Sequence, residues 1–259
     1  MNKEIAFCGL VCTDCPIYIA TATQDEEKKE QLAREYSTET CTFEKEDMVC
    51  YGCHSQDEAM KHSKMCGDCE IRNCKKTAKI DTCASCEAYP CAHIERFVPA
   101  DGENRKRLEK IRIDQYWKIF LEAKNVDAET TYLEAFHFEM TEYLANYLLD
   151  LVLRGQKKAT ASSLKSWEVE GTMPKEGDYS IVTDWAGKPR CVIQTKKITV
   201  LPFNEIDFAL CSKEGEDDSL ESWREGHRAF FTAEGKEELD YTFTEDMMVV
   251  FEEFEVVYQ

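Results

Sequence analysis

No run of about 18 apolar residues occurs in this chain, so nothing in it has the length to cross a bilayer as a helix, and no membrane partner is expected. The N-terminus, MNKEIAFCGLVCTDC, also lacks the apolar core and small-residue cleavage site of a secretory leader, which predicts a cytoplasmic protein. Positive charge is scarce: 32 Lys and Arg stand against 51 Asp and Glu, a net charge of −19. Binding to a long nucleic acid by bulk electrostatics needs clustered basic side chains, so DNA is not an expected partner. Two short basic segments exist, Lys61, Lys64, Arg72, Lys75, Lys76 and Lys79, and then Arg105, Lys106, Arg107, Lys110 and Arg112, and both read as solvated faces.

Cysteine is nearly missing from the larger part of the chain. Of 14 cysteines, 12 lie between Cys8 and Cys91, and only Cys191 and Cys211 lie beyond. Without a leader, and with so many C-x2-C pairs, metal binding is a better account than disulfides. The opening triplet, Cys8, Cys12 and Cys15, is followed by Cys50/Cys53, Cys66/Cys69 and Cys83/Cys86, and the last two pairs continue to Cys74 and Cys91 as a repeated C-x2-C-x4-C unit. Two C-x2-C units complete a tetrahedral zinc site, which predicts two or three structural zinc ions on these 11 cysteines. An iron–sulfur cluster is the alternative, since C-x3-C-x2-C is the spacing of radical enzymes that use S-adenosylmethionine. Against it, Asp14 stands where an aromatic residue usually precedes the last cysteine, and no strand–helix alternation is present to build the barrel such enzymes need. His54, His62 and His93 lie beside cysteine pairs as possible replacement ligands, and Cys41 stays unassigned.

The patterning divides the chain into a cysteine-rich domain over 1–97, a linker and helix start over 98–111 around VPADGEN, and a second domain over 112–259. In the second, RKRLEKIRIDQYWKIFLEAK and EMTEYLANYLLDLVLRG carry helical periodicity, and Gly155 is placed to stop the latter. DYSIVTDW, RCVIQTKKITVLPF and MMVVFEEFEVVY read as antiparallel strands, with a helix, SLESWREGHRAFF, capped by Ser219 before the last. The fold class expected is α+β, a small irregular zinc-bound domain followed by a β-barrel with flanking helices.

Chemistry in the second domain centres on RGQKKATASS. A lysine desolvated in a barrel mouth loses its proton and can take that of a threonine hydroxyl, so Lys157 and Thr160 are a candidate base and nucleophile; a strand-opening Thr160 and a solvated Lys157 are the structural alternative. Glu214, Glu216, Asp217 and Asp218 precede a helix, where carboxylates gain from its dipole. Arg224 is a candidate for binding a phosphate or carboxylate, with core packing expected of Trp223 and His227, and Trp185 for stacking on a base.

FCGLVCTDCPIYIA, CYGC, CEIRNC and CASCEAYPC resemble the DUF3795 family of cysteine-rich domains, which implies zinc binding and no established activity. LANYLLDLVLRGQKKATASS, KEGDYSIVTDWAGKPRCVIQT, VLPFNEIDFALCSKEGEDDSLESWREGHRAFF and MMVVFEEFEVVY resemble the ASCH superfamily, which implies a PUA-like β-barrel. For function that resemblance implies a nucleoside or RNA-derived ligand: an amidohydrolase of N4-acetylcytidine type, an RNA-binding module, or a ribonuclease. Its catalytic Lys, Thr and Glu match Lys157, Thr160 and Glu216, with Gly155 and Ser162 as binding residues beside them.

Overall fold

The computed structural model describes residues 4–60, 62–138 and 140–259, so that Lys61, in the first basic segment, lies outside the described residues. The chain forms two compact units, Met1–Arg112 and Ile113–Gln259. Among the described residues no helix is long and apolar enough to cross a membrane.

The first unit is built from short pieces. Helix α1 (Pro16–Ala22) begins on a proline, whose missing N–H costs nothing at that position, and α2 (Glu26–Tyr36) is capped by Asp25, which accepts from the Lys28 N–H. The two helices share a small core of Ile17, Ala20, Leu32, Ala33 and Met48, with Cys15 and Cys50 at its margin. A second core gathers Phe7, Ile71, Cys83, Tyr89, Ile94, Val98 and Leu108, with Cys8, Cys53, Cys69, Cys86 and Cys91 packed against it. Helix α3 (Ala92–Phe97) and the start of α4 (Glu103–Lys124) supply Ile94 and Leu108 to that core. The segment read as a linker thus holds a bend, at Val98–Gly102, and then helix whose Leu108 is fully buried.

Several cations of both basic segments are held by local partners. Arg105 pairs with Glu95 and Glu109, Arg107 donates to the Gly9 carbonyl, and Arg112 donates to the carbonyls of Ala84 and Cys86. Arg72 donates to the carbonyls of Met60 and Ser55, and Lys64 pairs with Asp47. These cations tie loops together.

The second unit is a five-stranded mixed sheet in the order β1-β3-β4-β5-β2, with β1 (Ala135–Phe136), β2 (Ala159–Ser163), β3 (Tyr179–Thr183), β4 (Pro189–Pro202) and β5 (Met248–Tyr258). All neighbours are antiparallel except β1 and β3. β1 and β2 form the two edges of this order, and no pairing joins them among the described residues. Helix α5 (Glu142–Leu153) lays Leu148, Leu149, Leu151 and Val152 on Val182, Cys191, Ile193 and Phe254. Helix α8 (Leu220–Glu234) buries Trp223 and Phe231 against Ala159, Ala161, Val249 and Phe251. The end of α4 packs Ile113, Trp117 and Phe120 on Ile181 and Val192. Short helices α6 (Leu164–Glu170) and α7 (Phe208–Cys211) fill the connections after β2 and after β4.

Candidate functional site

Helix α5 ends because Gly155 takes a φ of +70°, a left-handed turn that costs other residues free energy, and the N–H groups of Gln156 and Lys157 both return to the Leu151 carbonyl. This closure points Lys157 inward before β2 begins. The loop ahead of α8 is clipped alongside: the Lys158 N–H donates to the Lys213 carbonyl at 2.9 Å, and Gln156 Nε2 donates to the Gly215 carbonyl at 2.7 Å. Gly215, at φ +71°, allows that approach, since a Cβ there would stand 2.6 Å from the Gln156 carbonyl oxygen. The residues on either side of it, Glu214 and Glu216, therefore both reach Lys157.

Lys157 is 1% exposed and Glu214 2%. The ammonium donates to Glu214 Oε2 at 3.0 Å and, in a shorter contact, to Glu216 Oε1, while its Nζ lies 5.2 Å from the centre of the Phe138 ring. Glu214 is held further by Trp223 Nε1–H at 2.9 Å, and His227 Nε2 lies 3.6 Å from it. His227 stacks on Trp223 at 3.9 Å and donates Nδ1–H to the Trp223 carbonyl. Ser219 caps α8 as the sequence predicted, which sets the helix so that Trp223 and His227 face this loop.

These contacts settle the charges. Burial favours a neutral Lys157, but two carboxylates outweigh it and raise its pKa. The lysine is therefore an ammonium, contrary to the sequence expectation of a base neutralised by burial. Burial works against the Glu214 carboxylate, yet Lys157 and His227 hold it well below the usual range. Glu216 goes the other way: burial and the Glu214 charge raise it more than Lys157 lowers it. The number of donors explains the split, because Glu214 has Lys157, Trp223 and the His227 ring around it while Glu216 has Lys157. His227 is pushed down by burial and up by Glu214, with a net rise.

Thr160, on β2, lines the same cavity as Lys157, Glu214, Glu216 and His227, with Phe138, Leu148 and Phe230 as its apolar walls. Its volume is about 50 Å³. The three residues expected to be catalytic are brought together. The binding candidates are not. Ser162 takes the Trp167 Nε1–H at 2.7 Å, Arg224 donates to the carbonyls of Asn204 and Ile206, and Trp185 sits on the β3–β4 turn against His137. Gly155 lines another cleft, of about 800 Å³, with Lys124, Arg154 and Lys158, and Lys157 borders both spaces. Sequence reasoning gave Glu214 only a place ahead of the helix dipole and passed over Gly215; the signal was a glycine between two glutamates, a place where a tight turn lets both carboxylates converge.

In the first unit, Cys74, Cys83, Cys86 and Cys91 line a cavity of about 250 Å³. Burial pushes Cys83 up to about 12, with Cys91, Cys86, Cys8 and Cys74 adding to the rise, and it pushes Cys12 up to about 11 with Cys50 and Cys15 nearby. Among the described residues no three His, Cys, Asp or Glu side chains converge as an ion's coordination sphere. The donor chemistry fits zinc all the same, for Cys83 and Cys86 form a C-x2-C loop and share the cavity with Cys74 and Cys91, all four without a disulfide. His54 donates Nε2–H to the Ile5 carbonyl at 3.0 Å, His93 pairs with Glu70, and His62 and Cys41 are exposed.

Comparison with known proteins agrees with this division. Residues 4–96 match the sequence model described as a protein of unknown function, DUF3795, and residues 134–258 match that of the ASCH domain. The chain is similar to the crystal structure of an ASCH domain from Lactobacillus crispatus JV V101, with 37% identity and a TM-score of 0.52 over 56% of this chain and 94% of that one. It is also similar to a DUF984 protein of Enterococcus faecalis V583, with 31% identity and a TM-score of 0.52 over 56% of this chain and 88% of that one. Among curated proteins, none matches the chain. With its second unit aligned along nearly the whole of the Lactobacillus domain at this identity, the chain belongs to the ASCH domain family.

Proposed function

We propose that the Lys157 pocket hydrolyses the amide of an acylated nucleoside of N4-acetylcytidine type. The observation that carries this reading is the convergence of Lys157, Thr160 and Glu216 on one cavity of about 50 Å³. A space of that size holds a few waters or one small acyl group, so the nucleoside itself would stay outside it. Thr160 is the nucleophile. Its hydroxyl makes no hydrogen bond among the described residues, which leaves it free to meet a carbonyl. The Lys157 ammonium, fixed in a nearly dry site, stabilises negative charge on the carbonyl oxygen; β2 is an edge strand, and its unpaired N–H groups are further donors. Glu216, the carboxyl with the raised pKa, gives its proton to the departing amine.

The test is to incubate the whole protein with N4-acetylcytidine and follow cytidine release. Thr160→Ala and Lys157→Ala are expected to lose turnover; release that neither substitution affects, or no release at all, overturns the reading. A second reading, a module that grips RNA without turnover, draws on the cleft of about 800 Å³ beside Gly155, where Lys124, Arg154 and Lys158 are grouped. Salt-dependent binding of RNA oligomers, weakened by Arg154→Ala and Lys158→Ala, would favour it.

The cysteine-rich unit would hold structural zinc. Cys74, Cys83, Cys86 and Cys91 would take one ion, and Cys8, Cys12, Cys15, Cys50, Cys53, Cys66 and Cys69 supply ligands for the rest. Elemental analysis that finds iron with visible absorbance would replace zinc by an iron–sulfur cluster.

A further inference from the structure

A threonine hydroxyl attacks a carbonyl only when an acceptor for its proton is at hand. Lys157 is not that acceptor, since it is an ammonium held between two carboxylates. The strand register supplies another. Thr160 on β2 lies directly opposite Glu252 on β5. Directly opposed residues of an antiparallel pair project from the same face, with Cβ atoms roughly 4.5–5.5 Å apart, a gap that a glutamate side chain spans by rotating about its χ angles, although no hydrogen bond joins the two side chains in this structure.

Glu252 is 6% exposed in a stretch where Val249, Val250 and Phe251 are completely buried. A carboxyl there is costly unless something holds it. Thr195 does so, donating Oγ1–H to Glu252 Oε1 at 2.5 Å. Thr195 reaches this place through an irregularity in the β4–β5 register: it faces Phe254 while Lys197 faces Glu253, so Lys196 is an extra residue, as in a β-bulge. Thr160, Glu252 and Thr195 thus stand on three neighbouring strands in the order nucleophile, acceptor and orienting group.

We infer that Glu252 accepts the Thr160 proton and that Thr195 is its positioning residue. This rests on the amide-hydrolysis reading of the Lys157 pocket. Thr160 Oγ bonds to the acyl carbon as its proton passes to the Glu252 carboxylate. The C–N bond then breaks, and the amine leaves with the Glu216 proton. Water attacks the acyl-threonine ester and returns a proton to Glu216, while Thr160 Oγ leaves with the proton held by Glu252, so that acid and amine are released and both glutamates are restored. The acidic groups that bear on Glu252 are Asp178, ahead of β3, and Glu134, ahead of β1. Burial raises the Glu252 pKa, the Thr195 hydrogen bond lowers it, and Asp178 raises it again, for a net rise.

The test uses p-nitrophenyl acetate with the whole protein and locates the acetyl group by peptide mass. In the natural sequence the acetyl is expected on Thr160, at a rate that rises with pH along an acid limb. Glu252→Gln is expected to slow this roughly 100-fold or more and remove the limb. Thr195→Val is expected to move the limb to higher pH, and this variant decides the matter if Glu252→Gln does not fold. Acetylation of Thr160 that Glu252→Gln leaves at full rate, no acetyl on Thr160, or an unmoved limb in Thr195→Val overturns the inference. Glu252-dependent acetylation of Thr160 without turnover of N4-acetylcytidine would overturn the nucleoside reading and leave this assignment standing.

Discussion

The Lys157 ammonium lies 3.0 Å from Glu214 Oε2, and both side chains are almost wholly shielded from water. Removing one partner of such a pair strands the other as a buried charge. Lys157→Met is therefore expected to lower unfolding free energy by about 3–5 kcal/mol. Lys157→Met combined with Glu214→Gln should recover part of that loss, because the completely buried Glu214 charge is then gone and Glu216, whose pKa burial already raises, can take up a proton. Urea unfolding of the two variants checks this, and a double variant no more stable than the single one would contradict it.

Gly215 holds Glu214 and Glu216 on either side of a left-handed turn whose Cα side faces the Gln156 backbone at close quarters. Gly215→Ala meets both an unfavourable φ and a clash, so the loop must shift and the carboxylates with it. The expected cost is about 1–3 kcal/mol, together with loss of activity in the pocket. A variant with unchanged thermal midpoint and turnover would show that the turn does not set the site.

Glu134, ahead of β1, is raised to about 7, first by burial and then by Glu170 and Glu252. A carboxyl whose folded pKa exceeds its unfolded value binds its proton more tightly in the folded state. Its contribution is complete below the unfolded pKa of 4.5 and is lost as pH climbs to about 7. The loss is on the order of 2 kcal/mol once partial exposure is allowed for. Stability measured across that window should fall less steeply in Glu134→Gln than in the natural sequence.

If Cys74, Cys83, Cys86 and Cys91 share an ion, Cys83→Ser lowers the zinc content by one per chain and destabilises the first unit, since metal there stands in for a larger core. Cys41→Ser, at an exposed position, is expected to leave zinc content unchanged. Elemental analysis of the two variants separates these outcomes.

Periodicity made α4, α5, α8 and the three longer strands legible: the residues that recur at helical spacing in α5 and α8 are those that pack on the sheet. The first strand and β2 were not legible, since two residues of β1 and the small side chains of Ala159–Ser163 carry no alternation strong enough to read. In the site, Lys157, Thr160 and Glu216 were legible through a family likeness. Arg224 misled because an arginine next to a pocket motif suggests an anion, while here it satisfies carbonyls at the end of β4.

The sequence by itself determined that cysteines crowd one end of the chain, that the other end is α+β, and that no helical span of membrane length is present. These follow from local spacing and composition, which need no folded context. Only the tertiary structure decided that Lys157 is charged, because protonation depends on two glutamates 57 and 59 residues away. It alone decided, too, that Thr160 faces Glu252, a relationship set by strand register between segments far apart in the chain.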